Sequence, residues 1–236
     1  MMCSGRVDFS FIFRSFSHRI DGVYLAGCRL DECKYTTQGN YHALNVVLLS
    51  KRLMEYIGLN PERLRIEFMS SAEGGRFAET VNDFVKKVRS IGPFGEAEGF
   101  QQEELASKLN QVMRLIPYIK IAKKEKLSSH LKDPETWNHL FTREEIETLF
   151  RELPSYYIDP EKCQACMTCA RRCPVEAISG GKNLVHIIDQ EKCIKCGTCL
   201  EVCPPKFSAV TKIIGEPVPP PLPEEKRTIV RKGKEK

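Results

Sequence analysis

The strongest constraint on this chain is a cysteine spacing that occurs twice. Ile158-Asp159-Pro160-Glu161-Lys162-Cys163 returns thirty positions later as Ile188-Asp189-Gln190-Glu191-Lys192-Cys193. A segment repeated at a fixed offset marks an internal duplication. Each copy continues as CxxCxxCxxxCP: Cys163, Cys166, Cys169, Cys173 and Pro174, then Cys193, Cys196, Cys199, Cys203 and Pro204. Eight of the eleven cysteines lie in this stretch. Three thiolates so spaced let one tight loop wrap three corners of a metal centre, and the fourth must come from elsewhere. Proline, with its fixed φ and no N–H, suits the turn leaving each loop.

This spacing fits a [4Fe-4S] cube, and in two-cluster ferredoxins the last cysteine of each run ligates the other run's cluster. The first cluster is therefore expected on Cys163, Cys166, Cys169 and Cys203, and the second on Cys193, Cys196, Cys199 and Cys173. Such an exchange ties the repeats into one α+β, ferredoxin-like unit with two [4Fe-4S] clusters. Structural zinc favours paired cysteines with longer gaps, and disulfides favour secreted chains, so both fit less well. A cube with four thiolates is a dianion when oxidised and a trianion when reduced. Lys162, Arg171, Arg172, Lys192 and Lys195 are cationic sequence neighbours that favour the reduced form. With every corner taken, the clusters imply single-electron traffic and leave no open iron for substrate.

The chain has 236 residues, 42% of them hydrophobic, enough for a medium domain and a small one. Its formal charge of +5 is modest and concentrated late. That favours a partner-facing surface and no nucleic acid; the basic runs also lack interleaved aromatics for base stacking. No apolar run approaches a membrane span. The patch from Phe9 to Phe13 is short, lies between Asp8 and Arg14, and shows no cleavage pattern. Rich in cysteine and without an export signal, the chain reads as cytoplasmic, from an anaerobic setting.

Taken in order, residues 8 to 19 put Phe9, Ile12, Phe13 and Phe16 on one helical face, with Asp8 as N-cap. A buried strand is expected from Val23 to Gly27. A helix from Asn40 to Ile57 carries Leu44, Val47, Leu48 and Met54 on one side and stops at Gly58 and Pro61. Leu64, Ile66 and Phe68 alternate as a strand, and Phe77, Val81, Phe84, Val85 and Val88 mark a core-facing helix. This order predicts a parallel α/β sheet with right-handed crossovers, Rossmann-like and lacking its first strand. Ligands in such sheets gather at the carboxyl ends of the strands, where Cys28, Ser70 and Ser71 fall, and Cys3 is expected at the same edge. Cys3, Cys28 and Cys33 can thus converge as metal ligands, one short of four, or be ordinary thiols.

The motifs Met2-Cys3-Ser4-Gly5-Arg6-Val7, Gly27-Cys28 with Cys33 and Tyr35, Gly39-Asn40-Tyr41 and Ser71-Ala72-Glu73-Gly74 resemble the delta subunit of methyl-viologen-reducing hydrogenase over residues 1 to about 93. The resemblance implies an iron-sulfur subunit, without a catalytic site, that carries electrons from a hydrogenase or formate dehydrogenase to the flavin subunit of a heterodisulfide reductase-type complex. It also implies a [2Fe-2S] cluster with Cys3, Cys28 and Cys33 as candidate ligands. Two departures bear on that site. The family's leading strand and cysteine-bearing loop are missing, and Lys34 stands where histidine is usual. Some relatives carry selenocysteine in that loop, so the true start is expected upstream of Met1; the [2Fe-2S] site in this chain is expected to be incomplete, absent, or finished by another chain.

The expected organisation is an α/β domain over 1–95, a helical connector over 96–152, the two-cluster domain over 153–215 and a Pro-rich basic tail over 216–236. In the connector, Leu105, Leu109, Val112, Met113 and Ile116 are packing positions, and Thr142 with Glu145 forms a capping box. Lys120, Lys123, Lys124 and Lys126 read as a solvated face. The tail reads as an extended arm on a partner or a loose end, and the histidines and Trp137 as structural. Two other roles remain open: the same wiring in a complex reducing an aromatic thioester or a methylene-folate, or a cluster-based redox regulator.

Overall fold

The computed structural model describes residues 3–35 and 39–228. The readings placed on Met1, Met2 and the tail beyond residue 228 lie outside the described residues. The chain divides into two compact units, residues 1–149 and 150–236.

In the first unit, α1 (Phe9–Ser17) starts where the Asp8 carboxylate accepts the Ser10 N–H at 2.9 Å, satisfying a donor that the first helical turn leaves free. Its Phe9, Ile12, Phe13 and Phe16 are all buried. β1 (Val23–Gly27) and β2 (Leu64–Phe68) pair in parallel, with Val23 opposite Leu64 and Gly27 opposite Phe68. β1 is half-buried rather than buried, because a sheet of two strands leaves each with an open edge. α2 (Asn40–Ile57) links the strands and ends at Gly58, whose φ of 88° is left-handed. It is covered on more than the one side that its periodicity predicts. Ala43, Leu44, Asn45, Val46, Val47 and Leu49 are all buried, because α2 packs against β2 and several helices at once.

α3 (Gly74–Ile91) departs from its sequence pattern. Of its five apolar positions only Phe84 is buried, while Phe77 is 46% and Val85 39% exposed. Two strands are too narrow to cover the whole apolar face of an 18-residue helix.

The segment expected as a connector folds largely into this same unit. It comprises α4 (Gln102–Ala122), α5 (Lys124–Leu127), α6 (Pro134–Leu140) and α7 (Arg143–Arg151). α4 lies on α1 and buries Leu105, Leu109, Val112 and Ile116, with Met113 half-buried. The lysines read as a solvated face are mostly ion-paired. Lys120 meets Asp8 at 2.6 Å, and Lys123 and Lys126 both reach Glu145. Glu145 also donates its N–H to Thr142 Oγ1 at 3.2 Å, as the capping box predicts. Arg63 is fully buried and spans Glu98, at 2.6 Å, and the carbonyls of Asp21 and Pro93.

In the second unit, β3 (Pro154–Ile158) pairs antiparallel with β6 (Val210–Ile214), and β4 (Ile178–Gly181) with β5 (Leu184–Ile188). The short helices α8 (Thr168–Arg172) and α9 (Thr198–Glu201) follow the two cysteine loops. Each strand pair takes one strand from each repeat, so the copies are interleaved rather than side by side. Asp159 and Asp189 shape matching turns, each carboxylate accepting the N–H two residues on at 2.9 Å. The described part of the tail, up to residue 228, lies against the unit. Val218 to Leu222 line a shared pocket with Tyr156, Ile158, Val185 and Ile188, and Val185 donates its N–H to Arg227 O at 2.8 Å. Among the described residues, no helix is long and apolar enough to cross a membrane.

Candidate metal centres

The two cysteine loops share an unusual backbone. Ala165 and Met167 in the first have φ of 48° and 65°, and Lys195 and Gly197 at the matching positions of the second have 59° and 83°. Side chains other than glycine rarely take left-handed φ, and here they let a short loop double back so that its thiols converge.

Cys193, Cys196 and Cys199 of the second motif line one cavity of about 20 Å³ together with Cys173 of the first. Tyr156, Ile178 and Ile188 help close it. This is the four-thiol set expected from the exchanged spacing. In the first motif Cys163 and Cys169 are buried in the unit's core, Cys203 of the second motif packs on that core, and Cys166 is exposed. Among the described residues, no three His, Cys, Asp or Glu side chains gather closely enough for a single ion.

Burial dominates the chemistry of these thiols. It pushes Cys199 up to about 12, with Cys193 and Cys196 adding to the rise, and Cys169 up to about 11, with Cys163 and Cys166 adding. Crowded, desolvated thiols resist ionising next to one another. Cys166 shifts the other way: burial would raise it, but Thr168, through its side chain and N–H, outweighs that. A soft metal centre compensates such a set by replacing thiol protons. The donor set in the cavity therefore fits an iron-sulfur cube.

His186, read from the sequence as structural, packs beside the first cysteine loop, a place that the sequence reading did not give it. It is 1% exposed, with Nδ1 3.8 Å from Cys163 Sγ and Nε2 3.1 Å from Met167 Sδ. Burial lowers its pKa below the ordinary 6.5. Gly180 makes room for the ring, since a Cβ there would lie 2.4 Å from His186 Cδ2. Aligning the two copies could have found it, because His186 stands where the first copy has Tyr156.

In the first unit, Cys3, Cys28 and Cys33 line a cleft of about 670 Å³ with Ser70, Ser71 and Glu73, at the carboxyl ends of β1 and β2. The edge is the one that the chain order predicts. Buried Asn40 ties the Cys28 loop down, its Nδ2 donating to Cys28 O at 2.9 Å and Arg29 O at 2.6 Å. At Gly39 a Cβ would come within 2.4 Å of Cys33 Sγ, so the chain passes the thiol only as glycine. Burial raises Cys28, and its contact with Cys33 raises it further. Cys33 is pushed up by burial but held lower overall by the Tyr35 and Asn40 N–H groups and by the Cys28 and Cys3 thiols. Glu73 is held at about 2 by Arg29 and the Ser70 N–H. Lys34 lines the same cleft.

The interleaved thiol loops belong to a class of iron-sulfur domain: residues 155–204 match the family described as 4Fe-4S dicluster domain. Residues 1–92 match the family described as methyl-viologen-reducing hydrogenase, delta subunit, and the chain belongs to that family. Among its relatives, an iron-sulfur subunit of the F420-non-reducing hydrogenase of Archaeoglobus profundus is 42% identical over 92 residues, covering 39% of this chain and 66% of the relative. The vhu iron-sulfur subunit of the same kind of hydrogenase in Methanopyrus kandleri is 35% identical over 91 residues, 39% of this chain and 68% of the relative. One subunit of the ferredoxin/F(420)H(2)-dependent CoB-CoM heterodisulfide reductase of Methanosarcina acetivorans is 45% identical over 102 residues, 43% of this chain and 12% of the relative. The chain thus spans about two thirds of the hydrogenase subunits and about an eighth of that reductase component.

Proposed function

We propose that the chain is a cytoplasmic iron-sulfur electron-transfer subunit. It passes single electrons between a hydrogenase or formate dehydrogenase and the flavin subunit of a heterodisulfide reductase-type complex, without converting a substrate itself. The observation that carries this reading is the cavity in which Cys173 of one repeat joins Cys193, Cys196 and Cys199 of the other. Those four would hold one [4Fe-4S] cube, and Cys163, Cys166, Cys169 and Cys203 the other, in a ferredoxin-like domain. When bound, the cubes supply one-electron redox chemistry.

The chain's own residues provide what a wire needs. Tyr156, Ile178, Val185 and Val210 keep water from the thiols, and the left-handed loop residues hold the thiols in register. The first unit, a Rossmann-like parallel fold, brings Cys3, Cys28 and Cys33 to one cleft, a candidate [2Fe-2S] site to which a fourth ligand must be added. The names of the relatives support hydrogenase and heterodisulfide reductase subunits as partners.

The test is transfer from a partner. Anaerobically reconstituted protein mixed with a catalytic amount of a purified family hydrogenase under hydrogen should bleach in the visible as its clusters are reduced. Clusters that dithionite reduces but hydrogen with hydrogenase does not would overturn the hydrogenase as donor.

A further inference from the structure

The duplication makes each repeat a control for the other. The four cysteines, the Asp turns and the left-handed loop positions recur, so a difference at matched positions stands out. One such difference lies within the loop itself, between two cysteines, where the first copy has Ala165 and the second has Lys195. Five cations neighbour the motifs in sequence, and Lys162, Arg171, Arg172 and Lys192 are all exposed. Lys195 is not: it is 9% exposed, between Cys193 and Cys196.

Its ammonium is held inside the unit. Nζ donates to Gln190 Oε1 at 2.8 Å and approaches Ser155 Oγ at 3.4 Å, while Gln190 Nε2 donates to Tyr156 O at 2.8 Å. Tyr156, whose carbonyl joins this network, lines the second thiol cavity together with Gly197. A charge out of water acts several-fold more strongly on its surroundings than one at the surface. Lys206, the cation that acts on exposed Cys166 of the first motif, is itself exposed and screened by solvent.

We infer that Lys195 makes the two cluster sites unequal, its buried ammonium biasing the site of Cys193, Cys196, Cys199 and Cys173 to take the first electron. This rests on the two-cluster reading. The step is a one-electron reduction: the donor, dithionite in the test, is oxidised, and the cube with its four thiolates goes from dianion to trianion. Lys195 is a positioning residue for that charge and not a ligand.

The test is a potentiometric titration of the reconstituted full chain, read by electron paramagnetic resonance. The wild type should reduce in two one-electron waves. Lys195→Gln, which keeps a polar group beside Gln190, should move the higher wave to more negative potential, leave the other in place and bring the two together. Lys195→Arg should restore the separation. Ala165→Lys, which places an ammonium in the first loop, should raise the lower wave instead. Two unmoved waves in both Lys195→Gln and Ala165→Lys would overturn the inference, as would an upward shift in Lys195→Gln. Iron content separates this from failure of the cluster reading: a wild type far short of about eight irons per chain sinks both, whereas a full complement with unmoved waves sinks only the role of Lys195.

Discussion

The two thiol-bearing regions are opposites in design. In the second unit eight cysteines sit on two interleaved loops, and a cavity of about 20 Å³ draws one thiol from the first repeat and three from the second. In the first unit three cysteines line an open cleft of about 670 Å³, with Cys28 exposed. A duplicated motif can supply every corner of a centre from within, because each copy lends the other what it lacks. The cleft at the carboxyl ends of β1 and β2 brings three thiols together and faces outward. The first arrangement suits a permanent centre, the second a site completed by something added.

The largest expected effect breaks the second region without touching the first. Cys173→Ala should remove about four of about eight irons and leave the cluster of Cys163, Cys166, Cys169 and Cys203 in place. Iron loss confined to the first motif's cluster would show that the exchange of ligands is wrong. Cys28→Ala is the converse, and should leave the same eight irons unaffected.

Next in size is the buried ion pair of the first unit. Arg63→Ala leaves Glu98 without its partner in the interior, and losses of this kind run to about 3–5 kcal/mol; a calorimetric scan should show the first unit melting earlier while the iron content holds. The pair also sets an acid limit. Burial pushes Glu98 up, but Arg63 and the N–H groups of Asn60 and Gly95 outweigh it and hold the carboxyl below its ordinary 4.5. A lowered folded pKa stabilises above the unfolded value and is lost as pH falls through the folded one. The first unit should therefore lose stability below about pH 4.5, and Glu98→Gln should flatten that dependence.

Smaller effects sharpen the contrast between the repeats. Gly180→Ala puts a Cβ 2.4 Å from the His186 ring. Such overpacking typically costs about 1–3 kcal/mol, and the ring's displacement should alter the spectrum of the first cluster more than that of the second. Gly58→Ala forces a left-handed alanine at the end of α2, at about 1–2 kcal/mol, and urea unfolding should report it in the first unit alone.

Much of this was legible in the residues. The bounds of β1 and α2, the Asp8 cap and the convergence of Cys3, Cys28 and Cys33 all follow from periodicity, capping chemistry and strand order. What was not legible concerns what lies opposite. The apolar stripe of α3 reports a face but not whether anything covers it, and two strands leave Phe77 and Val85 exposed. Lys120 is exposed, as its sequence implies, but its pairing with Asp8, 112 residues away, was not legible. The prolines of the tail imply extended backbone, but not that Val218 to Leu222 lie against Tyr156 and Val185. The contrasts at His186 and Lys195 can be read by aligning the two copies, but the burial of both side chains beside the thiol loops cannot.

The second unit is proposed to carry two cubes on exchanged cysteines. The most direct measurement is iron content with reduced-state electron paramagnetic resonance, on anaerobically prepared protein in which Cys3, Cys28 and Cys33 are all replaced by alanine. About eight irons per chain, with the coupled signals of two neighbouring [4Fe-4S] clusters, are predicted. A chain that retains about four irons or fewer, or that binds zinc in their place, would contradict it.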